Sequence, residues 1–175
     1  TTGTGDNDTE AIFGPLDWMA NRATADAPLV FEARVNLPSV AGVGMSCGLT
    51  DAVTEAATLF AYATATWTTT PTNAVAWSFD TDGTTDLFRG IGVKADVDTV
   101  AIDGVVPVAD TPMLLRIELD SAGTAYFFQD DVLKGSKANA VTITMALCPF
   151  VEVSCKAGAA AKVGEVDLVF VSCPR

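Results

Sequence analysis

The chain has 175 residues and no histidine among them. That absence excludes Ser-His-Asp and Cys-His nucleophilic catalysis, the HExxH metalloprotease helix and most zinc sites, all of which need an imidazole as base or ligand. Positive charge is scarce too. Ten Lys and Arg stand against 22 Asp and Glu, a net charge of -12, and such a balance repels a phosphate backbone, so nucleic acid is not an expected partner. Long apolar runs are also missing. Hydrophobic residues make up 49% of the chain, yet Gly, Thr or Asp breaks every run well short of the ~20 residues a spanning helix needs, so the chain is expected in water and not in a membrane. The opening TTGTGDNDTE has neither a basic nor an apolar leader region, so no secretory signal is expected unless one has been removed. Cys47, Cys148, Cys155 and Cys173 form no CxxC pair, and the gap from Cys148 to Cys155 is too wide for a zinc knuckle. Buried thiols are the expectation, since free Cys acts as a small core hydrophobe, with a single disulfide as the rival.

What the chain does have is alternation. Met113, Leu115, Ile117 and Leu119 interleave with Leu114, Arg116, Glu118 and Asp120, the period of a strand with one wet face. A Ser121-Ala122-Gly123 turn, a second strand, an Asp130-Asp131 turn and a short third strand complete a meander from Thr111 to Lys137. A sheet with one apolar face needs a second layer to cover it. Further strands are expected at Leu29–Leu37, Val43–Leu49, Ala74–Phe79, Leu87–Lys94, Val97–Asp103, Val141–Met145, Phe150–Cys155 and Val166–Cys173. Gly44, Ser46 and Gly48 leave one face of the Val43 strand small enough for close packing. The Ala- and Thr-rich connection from Thr50 to Thr72 has room for a short helix near residues 54 to 62, although its threonines favour extended structure. Short strands at roughly ten-residue spacing, separated by Gly, Asp and Pro turns, predict an all-β antiparallel sandwich. At this length one domain buries roughly 70% of its unfolded surface. Residues 1–27 are set apart as an extended N-terminal arm and 28–175 as the sandwich. Thr1 to Glu10 is too polar to order itself. Ala11 to Arg22 carries Ile12, Phe13, Leu16, Trp18 and Met19, either packed along the sandwich edge or docked on a neighbouring subunit.

Few residues suggest chemistry. Asp80, Asp82 and Asp86 surround Gly83 in the manner of an incomplete calcium loop, but Asp-Gly between strands is first a turn signal. Glu118-Leu119-Asp120 begins the Glu-x-Asp pattern with which sandwich glucanases line a concave face, and Ala122 and Gly123 stand where the second acid belongs, so no catalytic residue and no cofactor is expected. Trp67, Trp77, Tyr62 and Tyr126 are the aromatics open to sugar stacking. Trp77 shares a face with Val75 and Phe79, which marks it as core. Trp67, among threonines, either contacts a ligand or partner or packs within its loop, and Ile12, Phe13 and Trp18 in the arm are candidates for partner contact.

The segments FEARVNLP, GMSCGLTDA, AVAWSFDTDGTTDLFRGIGVKADVD, LLRIELDSAGTAYFFQDDVLKGSK and VDLVFV together resemble concanavalin A/laminin-G-like jelly-roll sandwiches, and more narrowly virion proteins of tailed bacteriophages. The resemblance covers residues 29–175. It implies a jelly-roll fold and a non-enzymatic capsid decoration (cement) or head-fibre role at the virion surface, with assembly in the host cytoplasm. The phage major capsid protein would be the partner, and a homo-oligomer such as a trimer is implied. A carbohydrate-binding, lectin-like surface module of the same fold is the alternative. The paired calcium loops of lectins are missing here, which counts against sugar binding.

Overall fold

The computed structural model describes residues 2, 8–24, 27–54, 57–99, 101–156 and 161–174. In chain order the strands are β1 (Thr9–Phe13), β2 (Leu29–Asn36), β3 (Val43–Thr50), β4 (Phe60–Ala63), β5 (Thr66–Thr69), β6 (Asn73–Asp80), β7 (Arg89–Lys94), β8 (Val97–Asp98), β9 (Ile102–Asp103), β10 (Met113–Leu119), β11 (Ala125–Gln129), β12 (Val132–Lys137), β13 (Cys148–Cys155) and β14 (Glu165–Ser172). They form a seven-stranded sheet in the order β1-β13-β3-β6-β7-β8, with β9 also on β7. Opposite lies a five-stranded sheet, β12-β11-β10-β2-β14, and a separate β4–β5 hairpin completes the set. The fold is an all-β antiparallel jelly-roll sandwich of the concanavalin A type.

The meander predicted from alternation is β10–β12. Met113, Leu115, Ile117 and Leu119 are buried against the facing sheet, while Leu114, Arg116 and Glu118 are half-exposed on the other side. Its turns follow from side-chain chemistry. Asp120 Oδ1 accepts the N–H groups of Ala122 (2.9 Å) and Thr124 (2.8 Å), and Gly123 takes φ +80°, which L-residues resist. Asp130 and Asp131 both have positive φ, as a two-residue hairpin turn demands.

Between the sheets, Trp77 is fully buried and meets Phe127 edge to face at 5.4 Å, and its Nε1 donates to the Arg116 carbonyl at 3.2 Å. Gly90 makes room for that pair: a Cβ there would lie 2.5 Å from the Phe127 ring. Each large apolar side chain so buried stabilises the fold by about 1.5–3 kcal/mol.

Several expectations need correction. Residues 141–145 form no strand, because the backbone there is satisfied otherwise. Ala140 N–H donates to the Gly123 carbonyl (2.8 Å), Thr142 N–H to Asn73 Oδ1 (3.1 Å) and Met145 N–H to the Thr142 carbonyl (3.1 Å). The stretch 97–103 divides into β8 and β9, each only two residues long. Near 54–62 the described residues hold β4 and no helix, the threonine-rich side having prevailed; residues 55 and 56 lie outside the described set. The stretch set apart as an arm lies along the sandwich edge, one of its two expected placements, and supplies β1, which pairs with β13 from Thr9↔Ser154 to Phe13↔Phe150. It also supplies a 3-10 turn at Ala20–Arg22. Most of the polar segment 1–10 lies outside the described residues.

Candidate functional site

Strands β3, β6 and β13 are buried along their whole length on both faces. One face, with Met45, Cys47, Val75, Trp77 and Val151, belongs to the inter-sheet core. The other is covered by the chain itself. There the β4–β5 hairpin places Leu59, Phe60 and Trp67 on Ala74, Ala76, Ile91, Val93 and Phe150, a second apolar cluster to which Phe13 of β1 also packs. Phe60 stacks on Phe150 with ring centres 5.8 Å apart, and Tyr62 tilts against Trp67 at 4.7 Å.

Beside that cluster the same face carries a buried polar strip. Across it run Glu152 and Ser154 of β13, Lys156 just beyond that strand, Ser46 of β3, and Ser78 and Asp80 of β6, all buried. Lys156, 1% exposed, reaches Asp80, 2% exposed, with Nζ 2.9 Å from Oδ2. Ser46 Oγ donates to Ser78 Oγ at 2.9 Å. The hairpin is tied to this strip through its backbone. Leu59 N–H donates to both Glu152 oxygens (2.9 and 3.1 Å), and Tyr62 N–H donates to Asp80 Oδ2 at 2.9 Å. Burial pushes the Glu152 carboxyl from 4.5 up to about 8, opposed by the N–H groups of Leu59 and Phe60 and by Lys156. The charge count gives the same direction: the neutral combination of one buried ammonium and two buried carboxyls leaves one carboxyl protonated.

Asp80, Asp82 and Asp86 are therefore not brought together. Asp80 turns inward, where Oδ2 meets Lys156 and Tyr62 N–H and Oδ1 accepts Asp82 N–H at 2.9 Å; Asp82 and Asp86 point to solvent. No group of three or more His, Cys, Asp or Glu able to hold a metal occurs among the described residues. Glu118 meets Arg116 at 3.5 Å on the far side of the five-stranded sheet, and Asp120 caps its turn. Trp67 is half-buried in the hairpin. Glu152 and Lys156 escaped the sequence reading, because Phe150-Val-Glu-Val-Ser-Cys-Lys156 looks like a strand with an ordinary wet face. The small residues at Gly44, Ser46 and Gly48 were the available sign that something lies on it.

Two surface features remain. The first is a cleft of about 860 Å³ between the N-terminal segment and the end of β14, lined by Asp17, Trp18, Met19, Arg22, Ser172 and Cys173 among others. Trp18 is fixed by a two-way backbone bridge to Leu147 (3.1 and 2.7 Å), and its Nε1 is buried with no hydrogen-bond partner among the described residues. Burial raises the Cys173 thiol, with Arg22 pulling the other way. The second is an apolar edge. Ile12 on β1 is 73% exposed and Phe170 on β14 is 48% exposed, with Leu168 and Val169 open beside it. An apolar hollow of about 160 Å³ runs between the two strands, lined by Ile12, Phe13, Pro149, Val166 and Val169 among others. Cys47 and Cys148 are buried thiols, and burial pushes them up to about 12 and about 11, where the thiolate is scarce.

No protein-family model matches the chain, and no curated protein matches it by sequence. Solved structures do match in fold. The carbohydrate recognition domain of Emp47p aligns over 98% of this chain and 81% of its own, with TM-score 0.66 and 11% identity. The alginate lyase AlyC3 aligns over 97% and 72%, with TM-score 0.63 and 7% identity. The carbohydrate-binding module CBM66 from Bacillus subtilis aligns over 94% and 81%, with TM-score 0.53 and 11% identity. These likenesses establish the lectin-type jelly roll as the class of fold.

Proposed function

We propose that this protein is a non-catalytic carbohydrate-binding module of the lectin type, with its ligand seated in the Trp18 cleft. The observation that carries this reading is the composition of the cleft: an indole beside Asp17, Arg22 and Ser172 in a hollow of about 860 Å³. An aromatic ring offers a flat apolar face to a sugar, a carboxylate accepts from its hydroxyls, and guanidinium and hydroxyl groups donate to them. Two of the structures of the same fold are themselves named for carbohydrate recognition or binding. The non-catalytic side of this reading is supported by where four of the acids lie. Glu152 and Asp80 are sealed under the hairpin, while Glu118 and Asp120 are engaged in an ion pair and a turn. A glycan array followed by calorimetry tests the reading. An oligosaccharide should bind the wild-type chain, and Trp18→Ala or Arg22→Ala should weaken it tenfold or more with the far-ultraviolet spectrum unchanged. A wild-type chain silent across the array would overturn it.

The exposed edge favours a second reading, a protein-contact role. Ile12, Leu168, Val169 and Phe170 lie along β1 and β14, the edge strands of the two sheets at one side of the sandwich, and such edges accept a further strand or an apolar surface. A decoration protein on a phage capsid, as the sequence resemblance implies, would use an edge of this kind to hold the capsid protein or its own copies. Co-sedimentation with empty capsids tests it, and loss of binding in Phe170→Glu is the expected result.

A further inference from the structure

We propose that the β4–β5 hairpin is a proton-gated plug, seated on the seven-stranded sheet while Glu152 is neutral and released when Glu152 ionises, baring the polar strip of Ser46, Ser78, Ser154, Asp80 and Lys156. The hairpin is a two-stranded unit of its own, apart from both main sheets. Its polar ties to the rest of the chain include Leu59 and Phe60 N–H on Glu152, Tyr62 N–H on Asp80, the backbone bonds of Thr64 with Asp82 and Thr84 (2.9 and 3.0 Å) and Thr69 Oγ1 on Asp98 (2.7 Å), while Leu59, Phe60 and Trp67 pack on the apolar cluster beside the strip. A two-stranded element lying on the outer face of a sheet opens at a lower free energy than the central strands beneath it.

The proton count decides the direction. Facing Glu152 are Lys156 from beyond its own strand, Asp80 from β6, and the N–H groups of Leu59 and Phe60 from the hairpin. The positions opposite it are Ser46 on β3 and Ala11 on β1, neither of which titrates. With the plug seated, one ammonium and two carboxyls share a space without water, and the second carboxyl keeps its proton. With the plug lifted, water reaches Glu152 and the carboxyl returns towards its ordinary value of 4.5, from about 8 when covered. The seated form therefore holds a proton that the open form releases. The opening constant rises with pH, by up to tenfold per unit between about 4.5 and about 8, and levels off above. The hairpin's backbone thus occupies the face on which the buried acids, serines and lysine converge, and alkaline conditions expose it.

Hydrogen exchange on the full chain tests the gate. Amides of residues 59–69 should lose protection, after correction for intrinsic rates, by up to tenfold per unit from pH 5 to pH 8, while Ile117 and Phe127 in the core do not. In Glu152→Gln, which keeps an acceptor for Leu59 N–H, the slope should vanish. Hairpin amides that track the core at every pH, or a slope that survives in Glu152→Gln, would overturn the proposal. A second measurement leaves Glu152 untouched. With 5-fluorotryptophan in the wild-type chain, a new Trp67 resonance should grow with pH while that of Trp77 stays fixed, and a Trp67 signal unchanged from pH 5 to pH 9 would refute the gate directly.

Discussion

Removing the ammonium from the buried strip perturbs the least solvated charges among the described residues. Lys156 and Asp80 are 1% and 2% exposed and 2.9 Å apart, so neither can turn to water when its partner goes. Lys156→Met keeps the stem that packs near Gly44, where Cε would be 3.0 Å from an added Cβ, and deletes only the charge. Asp80 then keeps its bonds from Tyr62 and Asp82 N–H but faces Glu152 with no cation between them. Breaking a buried pair from one side costs about 3–5 kcal/mol. For a domain of this size that lowers Tm by roughly 6–20 °C. Urea titration followed by tryptophan fluorescence measures the loss as a shift in midpoint at constant slope. The double variant Lys156→Met/Asp80→Asn should recover part of the loss, because the orphaned charge has also gone. A loss below about 1 kcal/mol in the single variant, the range of exposed pairs, would show that water reaches the strip and that the plug is not seated as described.

Other outcomes follow from the same packing. Gly90→Ala drives a Cβ to 2.5 Å from the Phe127 ring and should cost about 1–3 kcal/mol, seen as a lowered melting temperature; an unchanged one would mean that the Trp77–Phe127 pair is loose. The folded chain keeps a proton on Glu152 that the unfolded chain gives up, so wild-type stability should fall relative to Glu152→Gln as pH rises from about 4.5 to about 8, and parallel urea midpoints for the two across that window would contradict the shift. Phe170→Glu, on an edge 48% exposed, should leave the folding free energy read from urea unfolding within about 0.5 kcal/mol of wild type. If the edge joins copies of the chain, the same variant should shift sedimentation towards monomer.

The alternation of Met113, Leu115, Ile117 and Leu119, the Ser-Ala-Gly and Asp-Asp turns, and the burial of Trp77 were all open to view in the residues, because a strand with one wet face writes its period into the chain and turns need particular backbones. Those features settled the all-β sandwich. Residues 141–145 misled, since Val141 and Ile143 alternate like a strand while their neighbours' hydrogen bonds are taken by Gly123 and Asn73, both far away in sequence. The candidate site was the least visible part. Asp80 reads as a loop acid until Lys156, 76 positions later, lies against it, and Glu152 reads as surface until the hairpin 93 positions earlier folds over it. Local sequence fixes period and turn, whereas burial depends on which distant segment settles on a face. The sequence by itself determined that two sheets would form, and only the tertiary structure decided that one of them is covered by the chain's own hairpin, turning ordinary polar residues into a dry strip where charge must be balanced.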